Sequence, residues 1–329
     1  MKKILFRADA KPSIGIGDLM SLINLSFYFD NNFESYFIIR SYKAGVDLVK
    51  KHNLKNIFII DENLSLNGEV NYINSFIKEN SIDIIFFEIT ERKLSDYHKI
   101  DKNIKKIAVN FDENILSNLN LVINWDVEAY KFFDKSKYPK TKFLLGAEYV
   151  ILPQEFYSQK VKNRATNYPP KKLLIAMGGA DEFDFTQKVI NSIIKNSLNI
   201  ELNIIVGSGY EYIDKLNITL KNSKLKFEIK QNITNMLDEY LSADVAISAG
   251  GLTSSELVAS KTPTILIATY KHQVARCKYF NEQKFAKYLG YREFNEVELI
   301  EAIKTPITIE KNNLFNTNII IKEINELFK

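Results

Sequence analysis

The sequence predicts an α/β protein built from two doubly wound domains, each with a parallel sheet. Short apolar runs alternate with longer amphipathic segments, as strands and helices do in such folds, and the alternation occurs in both halves of the chain. The length of 329 residues is sufficient for two domains that each bury a core. A single large α/β domain is the alternative.

Six apolar runs in the first half are predicted to be strands of one parallel sheet. Strands of this kind are buried on both faces and are typically continuous runs of apolar and β-branched residues. The runs lie at 4–8, 35–40, 56–60, 82–88, 106–111 and 121–125. Between them, 19–30 and 68–80 carry apolar residues at the spacing of amphipathic helices.

The second half repeats this pattern and predicts a second sheet. Its apolar runs lie within 171–179, 202–209, 226–230, 244–251 and 262–269. Segments 233–242 and 252–260 are predicted to be helices. The segment 145–156, which contains Pro153, is interpreted as the bridge between the domains. We therefore predict a first domain over 1–150 and a second over 151–329.

Charge and composition exclude several classes of protein. The net charge is +4, and the charged residues are interspersed, so the concentrated basic face of a nucleic-acid-binding protein is absent. Cys277 is the only cysteine, which fits a cytoplasmic protein without disulfides. The first apolar run is too short for a signal peptide, and no run is long enough to span a membrane. The histidines and the cysteine have no metal-ligand spacing, so we predict no metal and no cofactor.

Glycines follow several predicted strands, at the edge where doubly wound sheets bind ligands. Glycine lets backbone N–H groups approach a ligand closely, and a helix N-terminus adds partial positive charge that suits a phosphate. The glycines are Gly15, Gly17, Gly178, Gly179, Gly207, Gly209, Gly250 and Gly251. We predict that Gly178, Gly179, Gly207, Gly250 and Gly251 bind a nucleotide through its phosphates.

The segment ISAGGLTSSELVAS (247–260) is the best candidate for a diphosphate site. Here a predicted strand ends in two glycines, and Thr253, Ser254 and Ser255 supply further donors at the start of a helix. The alternative is that the glycines form tight turns and Thr253 caps the helix. No glycine precedes the Lys-Ser or Lys-Thr of a P-loop, and GIGDLM lacks the third glycine of a dinucleotide fingerprint.

These motifs, in this order, resemble those of GT-B nucleotide-sugar enzymes. More narrowly, the chain resembles the UDP-sugar hydrolases of pseudaminic acid biosynthesis and their spore-coat polysaccharide relatives over most of its length. The similar segments are ILFRADAKPSIGIG (4–17), NFDEN (110–114), LLGAEYVILPQEFY (144–157), MGGAD (177–181), ISAGGLTSSEL (247–257) and KHQVARCKYF (271–280).

The resemblance implies a role for each half of the chain. The two domains would face a cleft, with the sugar and acceptor side in 1–150 and the nucleotide side in 151–329. The loop with Gly15 and Gly17 would lie at the sugar. The implied substrate is a nucleotide-diphosphate sugar, and a UDP-sugar by analogy with the family.

The resemblance also implies roles for residues of the second half. Glu256 would hold the ribose hydroxyls, and the helix start after Gly250 and Gly251 would hold phosphate. His272 and Gln273 would face the diphosphate and the sugar.

The first half departs from the family pattern at its reacting side chains. The family has a histidine after the second glycine and an arginine three residues later, where this chain has Asp18 and Ser21. At the end of the fourth strand the family typically has an aspartate and then a tyrosine, where this chain has Glu88 and Thr90. The nucleotide half is therefore preserved better than the sugar half.

Asp18 is the first candidate for a catalytic general base. Hydrolysis and inverting transfer at an anomeric carbon both need one base to deprotonate the nucleophile, and carboxylates serve as bases in glycoside hydrolysis. The alternatives are that Asp18 caps the helix predicted to begin after it, or that it contacts substrate without catalysis. Asp9 and Glu88 are the reserve candidates.

Three functions remain open from the sequence. The first is hydrolysis of a UDP-linked deoxy or acetamido sugar in surface-glycan or nonulosonic acid biosynthesis. The second is inverting glycosyl transfer, and a lipid-linked acceptor would then require an exposed apolar patch in the N-terminal half for peripheral membrane contact. The third is binding of a nucleotide-sugar without catalysis.

Overall fold

The structure is a computed structural model of the chain, and it divides into two compact units. The first unit comprises Met1–Gln154 with Leu314–Lys329, and the second comprises Glu155–Asn313. The structure describes residues 1–11, 15–29, 33–89, 93–111, 118–165, 167–207, 209–231, 233, 235–307, 309 and 314–328.

The first unit is built on a parallel sheet of seven strands in the order β3-β2-β1-β4-β5-β6-β7. The strands are β1 (Lys2–Ala8), β2 (Phe33–Arg40), β3 (Asn56–Ile60), β4 (Ile84–Glu88), β5 (Lys105–Val109), β6 (Leu121–Asn124) and β7 (Lys142–Leu145). The central strands β1 and β4 are almost entirely buried, which explains their continuous apolar sequences.

Three helices that alternate with the strands belong to this unit, together with the last helix of the chain. They are α1 (Gly17–Ser26), α2 (Lys43–Lys51) and α3 (Leu66–Asn80), and the last is α11 (Thr317–Glu326). Ile73 and Phe76 of α3 pack with Leu5 and Ile85 of the sheet in one continuous hydrophobic core. The apolar stripe of the helix thus accounts for its burial against the sheet.

The second unit is built on a parallel sheet of six strands in the order β10-β9-β8-β11-β12-β13. The strands are β8 (Lys172–Ala176), β9 (Glu201–Val206), β10 (Phe227–Gln231), β11 (Val245–Ser248), β12 (Thr264–Ala268) and β13 (Lys287–Tyr291). The order reverses between β8 and β11, which is the switch point where doubly wound sheets bind ligands. The loops after these two strands carry the glycine pairs of the sequence analysis.

The helices of the second unit are α4 (Gln159–Lys162), α5 (Phe185–Lys195), α6 (Ile213–Lys221), α7 (Met236–Ser242), α8 (Leu252–Ala259), α9 (Val274–Glu282) and α10 (Glu296–Lys304). Val189 and Ile193 of α5 and Leu299 of α10 pack with the sheet in a second hydrophobic core. In the described part of the chain, no helix is both long and apolar enough to cross a membrane.

The prediction of two doubly wound, parallel-sheet domains is confirmed, and the single-domain alternative is wrong. The sequence analysis does not predict β7 or β13. Strand β7 has four residues and lies next to the segment interpreted as a bridge, and β13 is interrupted by Gly290, whose φ is +150°. Residues from 314 onward make most of their contacts within the first unit and belong to it. The sequence analysis assigned everything after residue 150 to the second domain.

Candidate functional site

The loops after β8 and β9 contact each other through their backbones. A Cβ atom at Gly207 would lie 2.1 Å from the carbonyl oxygen of Gly179, so only glycine fits at residue 207. The amide of Gly209 donates a hydrogen bond to the same carbonyl at 3.3 Å. Gly178, with φ +101°, and Gly179 are exposed, and a Cβ at either would meet nothing within 4 Å. Gly207 is therefore required for the close contact between the two loops. The backbone at Gly178 and Gly179, at the end of β8, is accessible to a ligand.

The two glycines after β11 differ in the same way. A Cβ at Gly250 would lie 2.5 Å from Cys277 Sγ and 2.8 Å from Gln273 Cβ, so α9 packs directly on this backbone. Gly251 is the N-cap residue of α8, and a Cβ there would approach only Gln273 Nε2, at 4.0 Å. The backbone at Gly251 is thus accessible to a ligand, and the backbone at Gly250 is not.

Alanine substitutions at these two glycines are expected to separate packing from binding. Gly250→Ala should lower the free energy of unfolding by about 1–3 kcal/mol, because its methyl group overpacks the contact with α9. Gly251→Ala should change it by less than about 0.5 kcal/mol, yet weaken binding of UDP. Urea unfolding and calorimetric titration with UDP measure the two effects, and equal loss of stability in both variants would contradict this distinction.

The hydroxyl groups at the start of α8 face different surroundings. Ser254 and Ser255 are buried, and Ser254 Oγ donates to the carbonyl oxygen of Gly251 at 2.6 Å. Thr253 is partly exposed. The interpretation of Thr253 as the helix cap is wrong, because Gly251 occupies the N-cap position. Thr253 is thus the most accessible of the three, and its side chain also hydrogen-bonds that of Tyr240.

Glu256 lies one turn into α8 and is oriented by Tyr240 of α7. The Tyr240 hydroxyl donates to Glu256 Oε2 at 2.6 Å, and the tyrosine is fully buried. Burial raises the pKa of Glu256, and the nearby Glu155 raises it further, although the hydrogen bond from Tyr240 opposes both. Tyr240 was not a predicted site residue, because nothing in its local sequence distinguishes it from a core tyrosine.

Gln273 closes the loop after β12 through its side-chain oxygen. Gln273 Oε1 accepts hydrogen bonds from the amide of Thr269 at 2.9 Å, the Thr269 hydroxyl at 3.1 Å and the amide of Tyr270 at 3.2 Å. Its Nε2 is therefore the atom that points towards Gly251 and the start of α8. The neighbouring His272 is exposed, and its ring stacks on that of Tyr270.

The aspartate of the MGGAD segment supports a helix instead of a ligand site. Asp181 Oδ1 accepts from the amide of Phe185 at 2.9 Å, and Oδ2 accepts from the amide of Thr186 at 2.7 Å. These are amides at the start of α5, which a helix leaves without internal partners. Asp181 therefore stabilises the start of α5.

In the first unit, Asp9 belongs to a buried ion-pair network. Asp9 Oδ2 accepts from the Arg7 guanidinium at 2.7 Å, and Oδ1 accepts from the amide of Arg40 at 2.7 Å. Glu69 of α3 accepts from Arg7 Nε at 2.7 Å, and its other oxygen accepts from Arg40 Nη2. With Tyr97 also donating to Glu69, these groups connect α3 to the carboxyl edge of the sheet. Both oxygens of Asp9 are thus engaged in structure.

Glu88 and Asp18 form a pair of carboxylates at the carboxyl edge of the first sheet. Glu88 is 1% exposed, its Oε1 accepts from Asn110 Nδ2 at 2.8 Å, and its Oε2 is hydrogen-bonded to the Ser21 hydroxyl. Burial and the nearby Asp18 carboxylate raise the pKa of Glu88 well above its usual value. A buried carboxyl group with a raised pKa beside a second carboxylate is typical of catalytic sites.

Asp18 is partly exposed and lies within the first turn of α1. The helix begins at Gly17 with Ile16 as its N-cap residue, so the interpretation of Asp18 as the N-cap is wrong. The Ser21 hydroxyl lies 2.9 Å from the carbonyl oxygen of Asp18 and also contacts Glu88. Ser21 therefore connects the backbone at Asp18 with the Glu88 carboxyl group.

Removing the charge at Glu88 is expected to stabilise the protein at high pH. The raised pKa means that folding favours protonated Glu88, so its contribution to stability is complete below the usual pKa of 4.5 and is lost as pH rises through the folded value. Glu88→Gln resembles the protonated form and should raise the free energy of unfolding by about 1–3 kcal/mol at about pH 8, with little change near pH 4. Urea unfolding as a function of pH measures this, and an equal effect at both pH values would contradict it.

The two glycines near the start of α1 differ in their roles: Gly15 has a positive φ and pairs with Lys11, whereas the space next to Gly17 is empty. Gly15 has φ +78°, and its N–H and C=O pair with those of Lys11 in an isolated bridge. A Cβ at Gly17 would meet nothing within 4 Å. Thr90 and residues 112–114 of the NFDEN segment lie outside the described residues. Asn110 of that segment has φ +57° and contacts Glu88, a role that the sequence analysis does not assign.

Among the described residues, no group of histidine, cysteine, aspartate and glutamate side chains could hold a metal ion. The donors at the site of the second unit are instead backbone N–H groups, the Thr253 hydroxyl and the Gln273 amide. These are neutral hydrogen-bond donors that suit an anion at a helix N-terminus.

Two Rossmann-like units with open glycine loops at the carboxyl edges of their sheets define the GT-B class of fold. Residues 173–324 match the family model described as the glycosyltransferase family 28 C-terminal domain, which covers most of the second unit. A crystal structure of Acinetobacter baumannii MurG has a TM-score of 0.63 with this chain at 15% identity, covering 99% of this chain and 94% of that one. This similarity supports the fold alone.

Two relatives by sequence cover nearly the whole chain. An uncharacterized protein of Methanocaldococcus jannaschii is 27% identical over 323 residues, which are 94% of this chain but 64% of that protein's length. The UDP-2,4-diacetamido-2,4,6-trideoxy-β-L-altropyranose hydrolase of Campylobacter jejuni is 24% identical over 307 residues, covering 90% of this chain and 98% of the hydrolase. The chain is therefore similar to a nucleotide-sugar hydrolase along both of its units.

Proposed function

We propose that this protein is an enzyme that cleaves a nucleotide-diphosphate sugar at the anomeric carbon, with water as the nucleophile. The observation that carries the proposal is the Asp18–Glu88 pair, in which a buried carboxyl group with a raised pKa lies beside a partly exposed carboxylate. A buried carboxyl group with a raised pKa beside a second carboxylate, at the ligand-binding edge of a sheet, is typical of catalytic sites.

The second unit supplies the groups that bind the nucleotide. The N–H groups at the start of α8 and the accessible backbone at Gly251 provide partial positive charge for the diphosphate. Thr253 and Gln273 Nε2 add donors to it. Glu256, oriented by Tyr240, accepts hydrogen bonds from the ribose hydroxyls.

Asp18 acts as the general base in this proposal. The attacking water gives its proton to Asp18 as its oxygen bonds to the anomeric carbon, and the bond from that carbon to the diphosphate oxygen breaks. The nucleoside diphosphate leaves with the bonding electrons, and the donors of α8 stabilise its added negative charge. Burial and the nearby Asp18 carboxylate raise the pKa of Glu88, which favours its protonated form, and Glu88 is hydrogen-bonded to the Ser21 hydroxyl.

Inverting glycosyl transfer is the second candidate, and the match of residues 173–324 to a glycosyltransferase family model favours it. The chemistry differs only in the nucleophile, because an acceptor hydroxyl replaces water. The same base and the same leaving-group donors would serve both reactions.

Release of UDP from a panel of UDP-sugars, measured by chromatography without acceptor, tests the proposal. The panel includes UDP-N-acetylglucosamine and UDP-2,4-diacetamido-2,4,6-trideoxy sugars. Release of free sugar supports hydrolysis, and we expect it to continue in the presence of EDTA. UDP release that requires an added acceptor would support transfer. Calorimetric binding of these compounds without any turnover would support a binding protein and contradict an enzyme.

A further inference from the structure

The four edge strands of the two sheets differ in how they are protected from pairing with other strands. Exposed edges are commonly protected by charges, bulges or short length. Strand β10 carries the charged Glu228 and Lys230, and β13 joins β12 through an irregular register between Leu266 and Ile267. Strand β7 has four residues, and its first, Lys142, forms an ion pair with Glu323.

Strand β3 has none of these protections. Its sequence NIFII contains no charge and no proline, and it pairs with β2 in an uninterrupted register over all five residues. Within the described residues, no strand pairs with its outer edge. Ile59, the fourth residue of the strand, is 49% exposed.

The direction of the backbone groups along β3 follows from one hydrogen bond. The carbonyl oxygen of Ile60 accepts from the amide of Ser41, which follows β2, so the backbone groups of Ile60 point towards β2. In a strand the groups of successive residues alternate in direction. The N–H and C=O groups of Ile57 and Ile59 therefore point outward from the sheet.

We propose that β3 is a self-association site at which two copies of this chain pair their β3 strands antiparallel about a two-fold axis at Phe58. This register places Ile57 opposite Ile59 of the second copy, and both residues present outward N–H and C=O groups. Antiparallel residues with such groups exchange two hydrogen bonds. The register is therefore compatible with the backbone, and a two-fold axis makes every contact occur twice.

Charge complementarity at the ends of the strand supports the same register. Lys55 precedes β3 and Asp61 follows it, and both side chains are exposed. In the proposed pair, Lys55 lies opposite Asp61 of the second copy, at each end of the interface. Opposite charges directly across two strands stabilise their pairing, and like charges destabilise it. The half-exposed Ile59 is covered between these ion pairs, next to Ile57 of the second copy.

Sedimentation velocity from micromolar to millimolar concentration tests this proposal on the full chain. The wild type should form a weak dimer whose fraction rises with concentration, because edge pairing alone buries less than the area of a stable interface, about 1,600 Å². Ile59→Lys, which adds an edge charge, should leave only monomer. Circular dichroism and thermal unfolding check that the variant is folded.

Charge reversal provides a matched control at exposed positions. Lys55→Asp places two carboxylates opposite each other at both ends and should weaken the dimer about tenfold or more. The double variant Lys55→Asp/Asp61→Lys restores opposite charges and should restore the dimer. A wild type that stays monomeric at all concentrations overturns the proposal. This holds even if β3 then proves to bind a different protein. A wild-type dimer that persists unchanged in both Ile59→Lys and Lys55→Asp overturns it as well.

Discussion

Asp18→Asn is expected to lower the rate of UDP release by about 10²–10⁴-fold, the usual contribution of a general base. The amide has nearly the same shape as the carboxylate but cannot accept the proton of the attacking water. Asp18 is partly exposed, so the substitution should leave the fold unchanged. Binding of UDP should also be unchanged, because the nucleotide contacts of the proposal lie in the second unit. Initial rates under saturating UDP-sugar and calorimetric titration with UDP measure the two effects.

Glu88→Gln is the matched variant that distinguishes the catalytic role of Glu88 from that of Asp18. If Glu88 carries a proton in the working enzyme, glutamine can donate to Ser21 and accept from Asn110 in its place, and the rate should fall by less than about tenfold. A loss as large as that of Asp18→Asn would instead identify Glu88 as the base. Undiminished turnover in Asp18→Asn would contradict the proposed role of Asp18.

Glu69→Gln is expected to destabilise the first unit by about 3–5 kcal/mol, the usual cost of removing one partner from a buried ion pair. Glu69 accepts from two buried guanidinium groups, those of Arg7 and Arg40, and from the Tyr97 hydroxyl. Without the carboxylate, Arg7 keeps its ion pair with Asp9, but the buried Arg40 guanidinium loses its ion pair with Glu69. Glu79→Gln, at an exposed position of the same helix, should change stability by less than about 0.5 kcal/mol.

The same network predicts how acid affects the wild type. Burial alone would raise the pKa of Glu69, but the ion pair with Arg7 and the hydrogen bonds from Arg7, Tyr97 and Arg40 outweigh it and lower the pKa to about 2. A lowered folded pKa stabilises the protein above the usual value of 4.5, and this stability is lost as pH falls towards about 2. Urea unfolding from neutral to acid pH should show this loss in the wild type and a flatter profile in Glu69→Gln. Equal acid profiles would contradict the role of Glu69.

The sequence by itself determined the fold class and the positions of most strands. The run at 82–88 contains β4, all of whose residues are buried, because a strand buried on both faces is typically a continuous apolar segment. The glycines at the strand ends could also be predicted from the sequence, since they end the apolar runs. Periodicity and turn chemistry are local properties, and they act over a few neighbouring residues.

Only the tertiary structure decided which glycines have a backbone accessible to a ligand and which carboxyl groups lie close together. Gly250 and Gly251 are adjacent in sequence, yet the packing of α9 fills the space at the first and leaves the second accessible. Ser21 and Glu88 are 67 positions apart and meet because β4 lies beside β1 in the sheet. Asp9 was a reserve candidate for the base from the sequence. In the structure it belongs to a buried ion-pair network with Arg7, Arg40 and Glu69. Strand order and burial set these contacts and the pKa of Glu88, and neither is a property of the local sequence.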